Sequence, residues 1–345
     1  MAIKSAHPGT CIQRLTSMGQ NLKITVCTSS EELLRLRPLW DSLYSSGRYT
    51  VFQDFWLNVL AAERFSHREQ PYVVCTESSN GAAIVPAVLR HSDHSIRLLG
   101  EELFDYRCFL HSGDDQVLRV ALAALSSLGR PLEIVAMREA DSGMSQTVIN
   151  ELQMLPFAAA PGVRCAETSA EQFAAAHGRL ARNLRRLERL GLERRSYNGD
   201  NPQLLRSIYA GKAAQHSSSL FHDPARIEFL ISAAALMPEL FEIFTLEKDS
   251  VPTAAVVTIL DRGWRRFYTG WFAPEYEKHS PALALIYEIT QQSLATGLDC
   301  DYMTGEQPYK MRLATSSVPL YRMKATPQQL AAVAQTGSTE LLATG

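Results

Sequence analysis

The chain lacks the motifs that mark metal, nucleotide and membrane proteins. Its 345 residues contain no C-x-x-C pair, no H-E-x-x-H frame, no Walker loop, no G-x-G-x-x-G fingerprint and no G-x-S-x-G elbow. These absences leave zinc, dinucleotide and serine-hydrolase chemistry unsupported. No window holds 18 uncharged apolar residues, and the opening segment "MAIKSAHPGTCIQRLTSMGQ" has no apolar core. We therefore expect a cytoplasmic protein with no metal, no signal peptide and no membrane span.

Charge and cysteine content narrow the classes further. The formal net charge is only -2, which argues against wholesale wrapping of DNA. The six cysteines are scattered, and several lie in apolar runs, as free buried thiols of a reducing compartment do. A length of 345 residues exceeds what one core usually organises, so we expect two domains or two halves of a duplication.

The order of elements repeats along the chain. The first half predicts a strand at 22–28, helices at 30–46 (N-cap Ser30) and 54–65, three β-rich runs within 71–100, a strand at 104–110, a helix at 115–129 and a strand at 131–137. The second predicts two helical stretches, a strand at 192–198, helices around 202–218 and 224–237, three β-rich runs within 240–273, a helix at 280–297 and strands at 298–305 and 318–325. This pattern indicates an α/β (α+β) fold of two mixed sheets with flanking helices.

The halves have predicted boundaries. We place them at residues 22–165 and 166–326, between a flexible leader, 1–21, and a flexible tail, 327–345.

The segment "RLARNLRRLERLGLERR" carries the clearest physical signal. With a helical period, Leu180, Leu184 and Leu187 fall on one side and the arginines gather on the other. Residues 179–195 hold seven arginines against two glutamates, a local excess of +5 in a slightly acidic chain. Such a ridge suits phosphate or carboxylate groups, although a charged helical face is often only a solvated one.

Five stretches together resemble the BioF2-like, or CelD (cellulose-biosynthesis), acetyltransferases, relatives of the FemAB peptidyltransferases. They are "TVFQDFWLNVL", "LLGEELFDYRCFL", "RLARNLRRLERLGL", "RRFYTGWFAPEYEKHSPALALIYE" and "LDCDYMTGEQPYKMRL", which occur in the family's order and span about residues 22 to 325. The resemblance implies a tandem GNAT-like fold and an acyltransferase. The second half would carry the acyl-donor site. One departure is Ala282, where the family has glycine; the extra methyl puts close approach of donor phosphates in question.

The resemblance implies a donor site in the second half. GNAT proteins hold the donor at a splay between two strands, beside a helix N-terminus. The positions that match here are Trp271, Phe272 and Ala273 on the strand, and Ser280 and Ala282 at the helix start. A plain helix start with proline in its first turn is the structural alternative.

The stretch "DYMTGEQPYKMRL" supplies the catalytic candidates. Gly305 predicts a loop after the strand, and we expect Glu306, Tyr309 and Lys310 to emerge at a solvent-facing sheet edge. The resemblance places the last two in the cleft, with Lys310 as electrostatic stabiliser and Tyr309 as shaper or proton donor. The alternative is a solvated lysine beside a packing tyrosine. Asp105, in an Asp-Tyr pair expected to close a strand, is the candidate proton acceptor, or else a turn cap.

Substrate-binding candidates come from both halves. Arg182 and Arg186 would grip an anionic acceptor or donor, and Tyr106 would face the cleft as the family's Asp-Tyr does. Lys212 and His216, four residues apart on a predicted helix, would share a face. A histidine so placed is otherwise simply hydrogen-bonded.

These inferences favour an N-acyltransferase. It would move an acyl group, in the first instance acetyl, from acetyl-CoA or another acyl-CoA as co-substrate to an amino group of a sugar, polysaccharide precursor or small metabolite. Two alternatives stay open: a FemAB-like aminoacyltransferase that uses aminoacyl-tRNA, and a non-catalytic binding module in polysaccharide biosynthesis. No DNA partner is expected, and tRNA is a partner only under the first alternative.

Overall fold

The chain folds as two compact units. The computed structural model describes residues 11–17, 20–100, 103–138 and 146–340. One unit comprises residues 1–157 together with 319–345, and the other comprises residues 158–318. Two strands, β10 (Met154–Val163) and β16 (Ser316–Ala325), contain the points at which the chain passes from one unit to the other.

The first unit is an α/β assembly. Its other strands are β1 (Cys11–Ser17), β2 (Gln20–Cys27), β3 (Glu69–Pro71), β4 (Val73–Ser78), β5 (Gly81–Val85), β6 (Ala87–Arg90), β7 (Ile96–Leu98), β8 (Leu110–Gly113) and β9 (Leu132–Met137). Its helices are α1 (Ser30–Leu33), α2 (Arg37–Ser46), α3 (Phe55–Arg64), α4 (Asp115–Leu125), α5 (Gln146–Glu151) and α12 (Pro327–Glu340). The strands order as β1-β2-β4-β5-β8 and as β16-β9-β7-β6-β3, the second with a parallel β7–β9 pair.

Several predictions for this unit are corrected. The cap of the first helix is Ser29, whose hydroxyl accepts from the Glu32 amide at 3.3 Å, because consecutive serines leave the register ambiguous by one residue. Residues expected as a flexible leader include strand β1, which pairs antiparallel with β2. The expected tail contains helix α12, whose Leu330 and Val333 are buried in the core of the unit. The rest of the leader and tail, residues 1–10, 18–19 and 341–345, lies outside the described residues.

The expected strand at 104–110 is also corrected. Only Leu110 belongs to a strand, and the residues before it run irregularly because Tyr106 has a left-handed φ of 54°. A β-strand cannot continue through that backbone conformation.

The second unit is built around one mixed sheet. Its strands are β11 (Glu193–Asn198), β12 (Phe241–Lys248), β13 (Val251–Asp261), β14 (Trp264–Phe272) and β15 (Asp299–Asp301). Its helices are α6 (Ala170–Ala176), α7 (Gly178–Arg189), α8 (Pro202–Gln215), α9 (Pro224–Leu236), α10 (Pro281–Ala295) and α11 (Pro308–Leu313). The sheet order is β11-β12-β13-β14-β15-β10, antiparallel except for the parallel β14–β15 pair. The prediction of mixed sheets with flanking helices is confirmed.

The two faces of this sheet are covered by different helices. Ala254 and Val256 of β13 belong to the same buried cluster as Ala284 and Leu285 of α10, so alternate residues of β13 face that helix. On β14, Gly270 pairs with Val256 and therefore lies on the α10 face. Its neighbour Trp271 points to the opposite face, where α8 packs on β14.

Five of the six cysteines are seen as free thiols. Cys27, Cys75, Cys108 and Cys300 are buried and Cys165 is partly exposed. Burial raises the pKa of Cys27 to about 11 and that of Cys75 and Cys300 to about 12, which makes them poor nucleophiles at neutral pH. Among the described residues, no helix combines the length and the apolar character that crossing a bilayer requires.

Candidate functional site

Strand β14 parts from its neighbour β15 midway along its length. The two pair in parallel only from Trp264 and Asp299 to Arg266 and Asp301, whereas β14 continues to Phe272. In the described part of the chain, no strand pairs with β14 on this side beyond Arg266. After Asp301 the chain follows β10 instead, and the amide of Gly305 donates to the carbonyl of Ala159 at 2.9 Å.

A β-bulge accompanies this divergence. The register between β13 and β14 shifts between Val257, opposite Thr269, and Thr258, opposite Phe267, so the register skips Tyr268. An extra residue bends the bulged strand and increases its twist. Between Phe267 and Phe272, no strand of the described chain pairs with the edge of β14 that faces away from β13, and we call the gap between this edge and the segment after Asp301 the slot.

A buried ion cluster closes the narrow end of the slot. The guanidinium of Arg266 binds the carboxylate of Asp261, with Nε to Oδ2 at 2.7 Å, and also that of Asp301. All three side chains are at least nine-tenths buried. Asp301 in turn accepts from the amide of Met303 at 2.8 Å. The cluster joins β14 to β15 at the last residue where the two strands pair.

Helix α10 starts at the wide end of the slot. Its N-cap Ser280 is left-handed, with φ 49°, and its side chain makes no capping hydrogen bond. Pro281 has no amide hydrogen, so the free amides of the first turn belong to Ala282 and Leu283. A Cβ built on Gly270 would lie 3.9 Å from the Cβ of Ala282, so strand and helix start face each other with space between them. A fifteen-residue helix focuses positive potential at this end.

The predicted cofactor-binding residues lie at the end of β14 and at the start of α10, but not all on one face of the sheet. Trp271 and Phe272 end β14, Ala273 follows them, and Ser280 and Ala282 begin α10. Trp271 lies on the opposite face from the helix start, as the alternation of β14 requires.

The stretch 301–313 differs from the expected exposed edge. Lys310 lies in α11 and is only 7% exposed, because its ammonium donates to the carbonyls of Met303, at 3.3 Å, and Thr304, at 2.8 Å. The prediction that Lys310 emerges into solvent is wrong, and so is the alternative of a solvated lysine. Tyr309 is 38% exposed, and burial of the rest of the side chain raises its pKa. Glu306 is exposed as expected.

Helix α8 covers the other face of β14 near its end. Gly211 lies against the indole of Trp271, and any side chain there would collide with the ring. The amide nitrogen Nε2 of Gln215 donates to the carbonyl of Phe272 at 2.6 Å. Lys212 is half-buried, and its desolvation lowers its pKa. His216, however, is the extended C-cap of α8 and is exposed, so it does not share a helix face with Lys212 as predicted.

The arginine face of α7 is solvent-exposed. Leu180, Leu184 and Leu187 are buried, as the helical period predicts. The exposed arginines are Arg179, Arg182, Arg185, Arg186 and Arg189, and none of them forms an ion pair with a carboxylate in the described part of the chain. Arg182 and Arg186 are therefore available to a ligand or partner.

Asp105 and Tyr106 belong to the first unit. Tyr106 is 1% exposed, its ring lies under the guanidinium of Arg138 at 5.2 Å, and its carbonyl accepts from Gln53 at 2.9 Å. These contacts give Tyr106 a packing role in its own unit. Asp105 is half-buried.

Sequence reasoning missed the residues that shape the slot. Arg266, Asp261, Gly211 and Gln215 were not singled out, since no motif signals a contact between distant elements. The only signal in the sequence was a charged residue next to or within an apolar strand. Arg266 directly precedes "FYTG", and Asp301 lies within "LDCDYM". Among the described residues, no group of three metal-ligating side chains comes together.

Comparison with known proteins agrees with this geometry. Residues 174–311 match the family described as "Acetyltransferase (GNAT) domain", a range that lies within the second unit. Among curated proteins no match is found.

Solved structures with a similar fold cover both units. A tandem GNAT protein from the clavulanic acid biosynthesis pathway is 9% identical, with a TM-score of 0.52 over 89% of this chain and 98% of its own. FemX is 8% identical, with a TM-score of 0.55 over 83% and 95%. L-PGS from Bacillus licheniformis is 11% identical, with a TM-score of 0.54 over 86% and 95%. At these identities the similarity shows the fold alone, so the BioF2-like or CelD assignment stays a prediction.

The tandem GNAT-like fold predicted from the sequence is confirmed. Residues 174–311 match a GNAT acetyltransferase domain, and this match supports an acyltransferase activity for the second unit.

Proposed function

We propose that the protein is an N-acyltransferase that moves an acyl group, in the first instance acetyl, from acyl-CoA to an amino group of a sugar, polysaccharide precursor or small metabolite. The observation that carries the proposal is the divergence of β14 from β15 after Arg266. It leaves an unpaired strand edge that ends opposite the start of a long helix. An extended, amide-containing donor with an anionic end fits such a slot.

The residues present fit an acyl-CoA. The edge of β14 beyond Arg266, which β15 does not pair, offers backbone groups such as those of Gly270 that can pair with an amide-containing arm, as an added strand does, although the Phe272 carbonyl already accepts from Gln215. The amides of Ala282 and Leu283 face an anionic group at the N-terminus of α10. The methyl of Ala282 narrows this approach, but Gly270 opposite leaves room. Acyl-CoA would supply the activated thioester.

The reaction breaks the thioester C–S bond and forms a C–N bond. The acceptor amine loses a proton and the departing thiolate gains one. Tyr309 is the proposed proton donor, since its phenol remains protonated at neutral pH and a third of its side chain reaches solvent. Lys310 acts through the backbone: its ammonium fixes the carbonyls of Met303 and Thr304, and thereby the segment opposite β14. Asp105, which belongs to the first unit, stays a prediction from the sequence as the proton acceptor.

Donor binding provides the test. Calorimetry with acetyl-CoA should show binding, and release of free thiol should follow when amines are added. Gly270→Val fills the space between β14 and α10 and should weaken acetyl-CoA binding at least tenfold with little change in Tm. Gly178→Val is the matched control, because a Cβ there meets only the end of Arg182, at 3.9 Å. Absence of binding by the wild-type protein at millimolar acetyl-CoA would refute the proposal.

The exposed arginines of α7 favour a second candidate, a FemAB-like transferase that takes its acyl group from aminoacyl-tRNA. Five exposed arginines without carboxylate partners are the kind of surface that binds phosphates. Under this reading, activity should require charged tRNA, vanish with ribonuclease and fall steeply as salt rises. Activity with acetyl-CoA that ribonuclease leaves unchanged would rule it out.

A further inference from the structure

A lysine occupies the centre of the buried face of α8. Leu205, Ile208 and Tyr209 are all 0% exposed, and the same three-and-four spacing leads next to Lys212. At that position an apolar residue would continue the packed stripe. The structure has a half-buried ammonium instead.

Its neighbours on the helix locate this lysine. Gly211 lies against the indole of Trp271, and Gln215 donates to the carbonyl of Phe272 at 2.6 Å. Lys212 follows Gly211 in sequence and lies about one turn before Gln215, which is its neighbour on the helix surface. It therefore lies on the α8 side of the sheet, near the end of β14.

The lysine and the start of α10 lie on opposite faces of the sheet. Gly270 faces the cluster of α10, whereas Trp271, which contacts α8, points the other way. An anion at the N-terminus of α10 is consequently separated from Lys212 by the strand itself. A group bound by Lys212 would be a different one from the donor phosphates.

The donors on this face have no acceptors within the described chain. Lys212 forms no hydrogen bond or ion pair there, and its desolvation lowers its pKa. The hydroxyl of Tyr209, one turn earlier on the same face, is buried and also without a partner among those residues. Unsatisfied buried donors are rare in folded proteins because each one costs free energy. The buried hydroxyl of Tyr209 thus lacks an acceptor that a ligand could supply, and the half-buried ammonium of Lys212 one turn further along the helix is a candidate binding group.

We propose that the inner face of α8 at Lys212 binds an oxyanion carried by the acceptor, so that the acceptor is an amine that also bears a carboxylate or a phosphate. This inference rests on the proposed N-acyltransferase function. A lysine ammonium pairs with either oxyanion as a point charge. The amine of the same molecule would then approach the slot from the α8 face, while the donor's phosphates occupy the α10 face. Neutral amines and polyamines lack the group that completes this site.

Matched amine pairs test the proposal. Calorimetry on the full chain, with and without CoA, compares propylamine with β-alanine, ethanolamine with O-phosphoethanolamine, and glucosamine with glucosamine 6-phosphate. In at least one pair we expect the anionic member to bind at least tenfold more tightly, and the pairs distinguish carboxylate from phosphate. Lys212→Met should reduce this preference to within twofold. Lys212→Arg, which keeps the charge, should retain most of it. Lys248→Met, at an exposed lysine of the same unit, should behave as wild type.

A second readout separates a binding role from a structural one. Because Lys212 is a half-buried charge without a partner in the described chain, Lys212→Met should raise the Tm of the free protein, whereas a structural lysine would lower it on removal. The proposal is overturned if no anionic amine outbinds its neutral partner, or if Lys212→Met retains the preference. If the wild-type protein does not bind acetyl-CoA, that result counts against the proposed acyl-CoA donor. It does not bear on the oxyanion site at Lys212, because amine binding is also compared without CoA.

Discussion

Arg266 should be among the most sensitive positions of the second unit. Its guanidinium bridges two carboxylates, Asp261 and Asp301, in a site where all three side chains are at least nine-tenths buried. Arg266→Met keeps much of the side-chain volume but leaves two carboxylates close together without a counter-charge. Removing one partner of a buried ion pair costs about 3–5 kcal/mol, chiefly because the remaining charge stays desolvated.

The stability cost of losing an ion pair depends on how exposed the pair is. A second ion pair in the same unit serves as the control. Arg206 and Glu228 form an ion pair at 2.6 Å, as short as those of Arg266, but their side chains are 52% and 45% exposed. Solvent screens such a pair, so Arg206→Met should cost at most about 1 kcal/mol. The two arginines lie in the same unit and their ion pairs are similarly short. Comparing the two variants therefore isolates the effect of burial.

Urea unfolding followed by hydrogen exchange gives the assay. Peptides from residues 158–318 report on the second unit alone, which matters because two units need not unfold together. A triple variant, Arg266→Met with Asp261→Leu and Asp301→Leu, removes all the charges and should recover much of the loss. A cost below about 1 kcal/mol for Arg266→Met would refute the reasoning, as would a triple variant no more stable than the single one.

Three further predictions follow from the same geometry. Lys310→Met should cost about 1–3 kcal/mol because two backbone carbonyls lose their donor, whereas the exposed Lys278→Met should change stability by less than about 0.5 kcal/mol; urea titration compares them. Arg182→Gln with Arg186→Gln should leave Tm unchanged but reduce the salt dependence of binding to an anionic ligand, measured by calorimetry at several salt concentrations. Lys212 has a lowered folded-state pKa, so its charge destabilises the folded protein at neutral pH, and the stability gained by Lys212→Met should shrink as pH rises towards 10.5, the ordinary pKa of lysine; thermal melts across pH detect this.

Local periodicity was enough to predict α7 to α10 and β11 to β14 of the second unit, but neither β10 nor α11. The spacing of the three buried leucines of α7 fits a helix, and the β-rich runs of β12 to β14 fit strands. Helix α12 also had a signal that was not used. Thr326 and Gln329 form a reciprocal cap, the T-x-x-Q pattern of a capping box, just before buried Leu330.

Long-range contacts account for what could not be predicted. The burial of Lys310 depends on carbonyls six and seven residues away that a left-handed Met303 brings within reach. The irregular path through Tyr106 depends in the same way on a positive φ at a non-glycine residue, which an apolar run does not reveal. Sequence identified the segment that contains each residue. Only the fold determines which way the side chain points.

The alternation of β14 has a consequence for specificity. Gly270 and Trp271 are consecutive, yet one faces the start of α10 and the other contacts Gly211 on α8, so the strand separates the proposed donor-phosphate site from the proposed oxyanion site at Lys212. A ligand along the free edge of β14 can reach the α10 side with its phosphates, but a second anion is admitted only from the α8 side. Changes at Gly270 or Ala282 should therefore alter donor affinity, and changes at Lys212 should alter acceptor affinity. The two effects should be additive because no side chain is shared between the two faces.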